Sequence, residues 1–210
     1  MPEGLLRVGL TGGIATGKSY VTQRLQAAGL PTIDADRLAR EAVAPGSEGL
    51  RAVVNRFGRD MLTDAGALDR PRLAAVIFRD ASARADLEAL IHPEVRRRIA
   101  DWQTQLARHG YRGPVIADIP LLFETGRTGD FDALVVVACE PATQRARLMA
   151  RDGLTAEEAD QRMAAQWPIT HKLRGADFVV RTDGTFAETD AQVDALVVQL
   201  WAQAASHAST

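Results

Sequence analysis

An apolar run at residues 5–10 leads into Gly12-x-x-x-x-Gly17-Lys18-Ser19, and a helical pattern follows. No other stretch restricts the fold so strongly, because this spacing is that of a phosphate-binding loop set between a strand and a helix. Its glycines let backbone N–H groups turn toward phosphate oxygens with no Cβ in the way. A helix starting near Lys18 adds the positive end of its dipole. In such a loop Lys18 reaches the β and γ phosphates, and Ser19 offers its hydroxyl to Mg²⁺. The expected nucleotide site is therefore Gly12, Gly13, Ile14, Ala15, Thr16, Gly17, Lys18, Ser19 and Tyr20.

Short apolar runs without in/out alternation recur at residues 5–10, 32–34, 115–118, 133–138 and 178–181. They read as buried parallel strands, and the helical patterns between them imply a sheet covered on both faces. The first helix is expected over residues 18–28, stopped by Gly29. The alternation fails between Asp34 and Val115, where a long helical insertion is expected. There Leu87, Leu90, Ile91, Val95, Ile99, Trp102 and Leu106 mark one apolar helix face. Pro93 is expected to interrupt or kink this helix and start a new segment, which places His92 at a joint. A second insertion, residues 143–172, is rich in charge and reads as two helices joined at residues 152–155. The tail "SHAST" is expected to fray.

The chain has 210 residues and a formal net charge of −2, which argues against broad polyanion or nucleic-acid binding. Cys139 is the only cysteine, so no intrachain disulfide forms, and its place at the end of an apolar run marks a buried thiol. No apolar run approaches the roughly 20 residues of a membrane span. The start "MPEGLLRVGL" lacks the layout of a signal peptide, so the expected location is the cytoplasm.

No Asn-Lys-x-Asp guanine-reading motif is present, and the two helical insertions suit a small-molecule kinase with an acceptor-binding domain and a closing lid. Asp34 and Asp36, in "TIDADRLAR", stand at the carboxyl end of the second strand, where ligands of open α/β sheets bind. Asp36 reads either as a helix cap or as the base that takes a proton from an acceptor hydroxyl. Asp118 ends "VIAD", the place of a carboxylate that orients Mg²⁺. "IPLLFE" follows, and its apolar residues are either core or a wall for a ligand. Arg96, Arg97 and Arg98 read as a solvated face. Arg147 and Arg151 are four apart and share a helix face, as lid arginines that meet a transferring phosphate or stack on adenine. On these residues alone, another small-molecule kinase and a nucleotide-binding regulatory module both stay open.

The ordered set "VGLTGGIATGKS", "IDADRLAR", "LEALIHPEV", "DIPLLFE", "RARLMARDGLTAEEADQRMAAQ" and "ADFVV" closely resembles the dephospho-coenzyme A kinases over nearly the whole chain. That resemblance implies ATP-dependent phosphorylation of the ribose 3′-hydroxyl of dephospho-CoA. It implies an α/β P-loop NTPase fold of three layers around a five-stranded parallel sheet, with an inserted helical substrate domain and a helical lid. The parts are a core at residues 1–34, 112–142 and 173–210, a CoA-binding insertion at 35–111, and a lid at 143–172. By motif position Asp36 is the general base, acting with Lys18, Arg147 and Arg151. Asp34, Asp36, Arg40, His92, Pro120, Leu121, Leu122, Phe123 and Glu124 border the acceptor, and Ser19 and Asp118 hold Mg²⁺. The implied partners are ATP, Mg²⁺ and dephospho-CoA, with no nucleic acid and no membrane, in a monomer or small homo-oligomer. Two positions depart from the family pattern: Thr16, where a serine or another small residue is common, and Thr182, where an asparagine is expected.

Overall fold

A computed structural model describes residues 4–207. In chain order its elements are β1 (Leu5–Gly12), α1 (Lys18–Ala27), β2 (Thr32–Asp34), α2 (Ala35–Ala42), α3 (Glu48–Phe57), α4 (Arg70–Arg79), α5 (Ala81–Arg108), β3 (Gly113–Asp118), β4 (Ala133–Ala138), α6 (Pro141–Asp152), α7 (Ala156–Ala164), α8 (Ile169–Arg174), β5 (Phe178–Arg181) and α9 (Phe186–His207). Two compact units divide it: one runs up to Asp34 and resumes at Gln103, and the other is Ala35–Trp102.

The first unit holds a five-stranded sheet in the order β2-β3-β1-β4-β5, with every pairing parallel. β3 and β4 are buried at every residue, which is why they show no alternation. β1 runs two residues further than the apolar pattern suggests, because Thr11 and Gly12 still pair with Val136 and Val137. Leu6, Val8 and Leu10 of β1 form one core with Val21 and Leu25 of α1 and with Val193, Leu196 and Leu200 of α9. α1 ends as expected at Gly29, whose φ is +84°. Gly29 N–H donates to Gln26 at 2.9 Å and Leu30 N–H to Leu25 at 3.1 Å, the two bonds of a Schellman ending, with Leu25 and Leu30 both buried.

The charged segment also folds as helices. α6 stops at Gly153 (φ +67°), and a Thr155–Glu158 capping box starts α7. A third helix, α8, follows in "ITHKLR", where the sequence gives no helical periodicity. Ser206 and His207 of the tail are helical, while residues 208–210 of "SHAST" and residues 1–3 of the N-terminal segment lie outside the described residues.

The second unit is helical, with a core of Val43, Val53, Met61, Leu73 and Leu87. Ser47 caps α3 by accepting from Leu50 N–H at 3.1 Å, and Asp69 caps α4 by accepting from Arg72 N–H at 3.0 Å. Pro93 starts no new segment here: α5 is a single helix with Pro93 inside it. A proline removes one N–H bond and crowds the preceding turn. The 28-residue helix continues through that loss, anchored by Leu87 before it and by Val95 and Ile99 after it, all buried. His92 is accordingly a half-buried residue of a helix interior, not of a joint.

Candidate active site

The phosphate loop joins the carboxyl end of β1 to α1. A Cβ on Gly12 would lie 2.6 Å from the Val137 carbonyl oxygen and 2.8 Å from Thr16 Oγ1, so glycine is required there. Ala15 has φ +57°, the only positive value on a non-glycine among the described residues. That conformation costs about 1–2 kcal/mol and persists only where its surroundings fix it. Here they do. Gln144 Nε2 donates to the Ile14 carbonyl at 2.6 Å, and Gln166 Oε1 accepts from Ile14 N–H at 2.8 Å. Thr16 Oγ1 donates to the Gly13 carbonyl at 2.8 Å. Lys18, at the start of α1, is paired with Asp118 at the end of β3. Thr22, one turn further along, donates to the other Asp118 oxygen at 2.9 Å. Ser19 is exposed in the first turn.

Thr182, just past β5, is buried and connects three parts of this unit. Its hydroxyl donates to the Thr16 carbonyl at 2.7 Å and accepts from Arg147 at 3.0 Å, and its own carbonyl accepts from Arg147 at 2.6 Å. The two arginines expected in a lid therefore part company. Arg147 turns to the loop after β5, whereas Arg151 is exposed and paired with Asp152 at 2.8 Å. Beside Gly17 lies a cavity of about 350 Å³ lined by Tyr20, Arg147, Thr182, Gly184 and Phe186, among others. The Tyr20 and Phe186 rings stand 4.8 Å apart at 50°. The Tyr20 hydroxyl donates to Asp190, and that bond pushes its pKa up.

The segment after β3 splits in two. Leu122 is fully buried, and a Cβ on Gly9 would meet it at 2.9 Å, so Leu122 is core under β1 and not a ligand wall. Leu121 is exposed, and Pro120, Phe123 and Glu124 are half-buried. Glu124 is engaged by the protein: its Oε1 takes Lys172 Nζ at 2.8 Å and Trp167 N–H at 3.0 Å. Cys139 is buried as expected, and that burial pushes its thiol pKa up.

In the helical unit Asp36 sits inside the first turn of α2, not at its cap, and is exposed. Arg40 lies in the last turn of the same helix, and its carbonyl accepts from Arg70 at 3.3 Å. Arg97 and Arg98 are ion-paired, both with Glu94, Arg97 also with Asp101 and Arg98 also with Glu41. The two arginines hold the Glu94 carboxyl down at about 2, the Arg97 hydrogen bond contributing most.

Sequence reasoning missed Thr22, Gln144, Gln166 and Lys172. Only Thr22 carried a usable signal, its i+4 spacing from Lys18 on one helix face. The other three reach the loop from segments whose placement depends on the tertiary fold.

The donor set fits Mg²⁺ and a nucleoside triphosphate. Ser19 and Asp118 are hard oxygen donors at the carboxyl edge of the sheet. Among the described residues no cluster of three or more His, Cys, Asp or Glu stands ready for a metal. Mg²⁺ at kinase sites needs only one or two protein oxygens beside the phosphates. The glycine loop supplies the main-chain cradle that a Cβ would fill.

Comparison with known proteins agrees with this geometry. The sequence pattern of the dephospho-CoA kinase family matches residues 6–188. A dephospho-CoA kinase from Gloeobacter violaceus is 50% identical over 89% of this chain and 89% of its own. A crystal structure of TT1252 from Thermus thermophilus superposes with a TM-score of 0.79 at 33% identity, covering 94% of this chain and 99% of that one. A dephospho-CoA kinase from Campylobacter jejuni shares the fold, with a TM-score of 0.72 at 24% identity over 95% of this chain and 98% of that one. With a phosphate loop built on β1, a carboxylate at the end of β3 and a family match spanning both, the chain belongs to the dephospho-CoA kinase family.

Proposed function

We propose that this chain phosphorylates the ribose 3′-hydroxyl of dephospho-CoA with ATP, giving coenzyme A and ADP, the last step of CoA biosynthesis. The observation that carries this reading is the family match over residues 6–188, which takes in the phosphate loop and every acceptor motif. The main-chain amides of the phosphate loop grip the phosphate chain, except the Ile14 N–H, which Gln166 holds. Lys18 exchanges its Asp118 partner for the β and γ phosphates, while Thr22 keeps Asp118 in place. Mg²⁺, held by Ser19 and Asp118, would neutralise charge on the phosphate oxygens. Asp36 accepts the proton of the 3′-hydroxyl as its oxygen bonds to the γ-phosphorus and the bond to ADP breaks. Arg147 stacks on adenine in the cavity beside Gly17, supported by its bonds to Thr182. Arg151 releases Asp152 to meet the transferring phosphate. His92, Arg40 and the exposed part of the segment after β3 border the acceptor.

The core at 1–34, 112–142 and 173–210, the acceptor-binding insertion at 35–111 and the lid at 143–172 are the working parts of this reading. The enzyme acts in the cytoplasm as a monomer or small homo-oligomer, apart from nucleic acid and membranes. A formal net charge of −2 supports the separation from nucleic acid, and no described helix is long and apolar enough to cross a membrane.

A coupled ADP-release assay tests the acceptor. Turnover is expected with ATP, Mg²⁺ and dephospho-CoA together. ADP release that is independent of dephospho-CoA, or that needs a different alcohol, would contradict the reading.

A further inference from the structure

Lys172 heads the fully buried side chains by size, and no step above uses it. Its Nζ pairs with Glu124 Oε1 at 2.8 Å and lies 3.4 Å from the Gly12 carbonyl oxygen to which it donates. Glu124 Oε1 also accepts the Trp167 N–H at 3.0 Å, and Glu124 Oε2 is buried without a hydrogen-bond partner. Around this ammonium three stretches of chain converge. The end of β1 carries Gly12, and its neighbour Thr11 donates to the Pro120 carbonyl at 3.0 Å. The segment after β3 carries Glu124. The α7–α8 connection carries Trp167, and Gln166 beside it holds Ile14 N–H at 2.8 Å. A Cβ on Gly175 would come 2.7 Å from the Phe123 ring, so the end of α8 is seated on the same segment.

Stability does not explain this charge. Taking an ion pair out of water costs several kcal/mol per ion, and an apolar side chain of similar size fills such a space as well or better. What the pair adds is fixed geometry. A carboxylate has two oxygens, and here only one is committed to the protein; a buried acceptor left without a donor is destabilising.

We propose that Lys172 is a positioning residue for the transfer. Acting through Glu124 and the Gly12 carbonyl, it locks the segment after β3 and the α7–α8 connection to the phosphate loop. It also leaves Glu124 Oε2 to accept a hydrogen bond from the acceptor molecule. The inference rests on the kinase reading above and deepens it.

The test compares wild type, Lys172→Met, Glu124→Gln and the double variant. Folding is checked by circular dichroism, and kcat and KM are measured for both substrates. Lys172→Met is expected to lower kcat by about 10²-fold, the scale of a misplacement near 1 Å, while the KM for ATP changes by less than about threefold. Glu124→Gln raises the KM for dephospho-CoA. The double variant matches Lys172→Met alone, because the two residues act as one unit. A folded Lys172→Met enzyme with wild-type kcat, or single effects that multiply in the double variant, overturns the proposal. If Lys172→Met does not fold, Glu124→Gln decides alone: a raised acceptor KM at unchanged KM for ATP supports the proposal, and wild-type constants refute it. Wild type without dephospho-CoA-dependent turnover would instead remove the kinase reading itself.

Discussion

At the scale of single residues the proposed chemistry rests on Asp36 and Lys18, which it gives different tasks. Lys18, the proposed phosphate ligand, is paired with Asp118. Asp36 is an exposed carboxylate two residues beyond the end of β2. A general base contributes about 10²–10⁴-fold to a rate. Asp36→Asn is therefore expected to lower kcat by that range and leave ATP affinity, measured by calorimetry, unchanged. Near-normal turnover would discard Asp36 as the base. The phosphate loop was legible in the sequence because it is built from consecutive residues, Gly12 to Ser19, between a strand and a helix. Its supports were not: Gln144, Gln166 and Thr182 reach the loop across sequence separations of 130, 152 and 166 residues. Leu122 shows the same limit in reverse, since an apolar residue beyond a strand reads equally as wall or core until Gly9 is placed beneath it.

Elements were legible where their periodicity is strong and obscure where tertiary packing decides. The joint expected at residues 152–155 separates α6 from α7, and all five strands announce themselves as apolar runs. α8 does not, being six residues held in place by Lys172. In α5 the local rule at Pro93 loses to the packing of the helix around it. The same helix carries a pH-dependent element. Glu94, within the Arg97–Arg98 cluster, titrates near 2 instead of the usual 4.5. A depressed carboxyl pKa contributes stability that is present in full above about pH 4.5 and is lost as pH falls toward 2. Arg97 is exposed and Glu94 and Arg98 are only half-buried, so solvent screens the cluster and the effect is small. Wild type is expected to be more stable than Glu94→Gln at neutral pH in urea titrations, with the gap narrowing near pH 3. A gap that does not change with pH would show that the pair does not couple to folding.

The whole molecule combines an open parallel sheet, whose carboxyl edge holds the phosphate loop and Asp118, with a helical unit that begins at Ala35, one residue before Asp36. Residue chemistry alone named a nucleotide and left the acceptor open. The family match over residues 6–188 turns that open kinase reading into a specific one. In that reading a phosphoryl group passes from ATP to one ribose oxygen. The most direct measurement is transfer of label from γ-³²P ATP to dephospho-CoA by the purified, folded chain with Mg²⁺ present, with the product mapped by phosphorus NMR. Label is expected on the 3′-oxygen in wild type and nearly absent in Asp36→Asn. Label that stays in inorganic phosphate, or settles on any other oxygen of the acceptor, would contradict it.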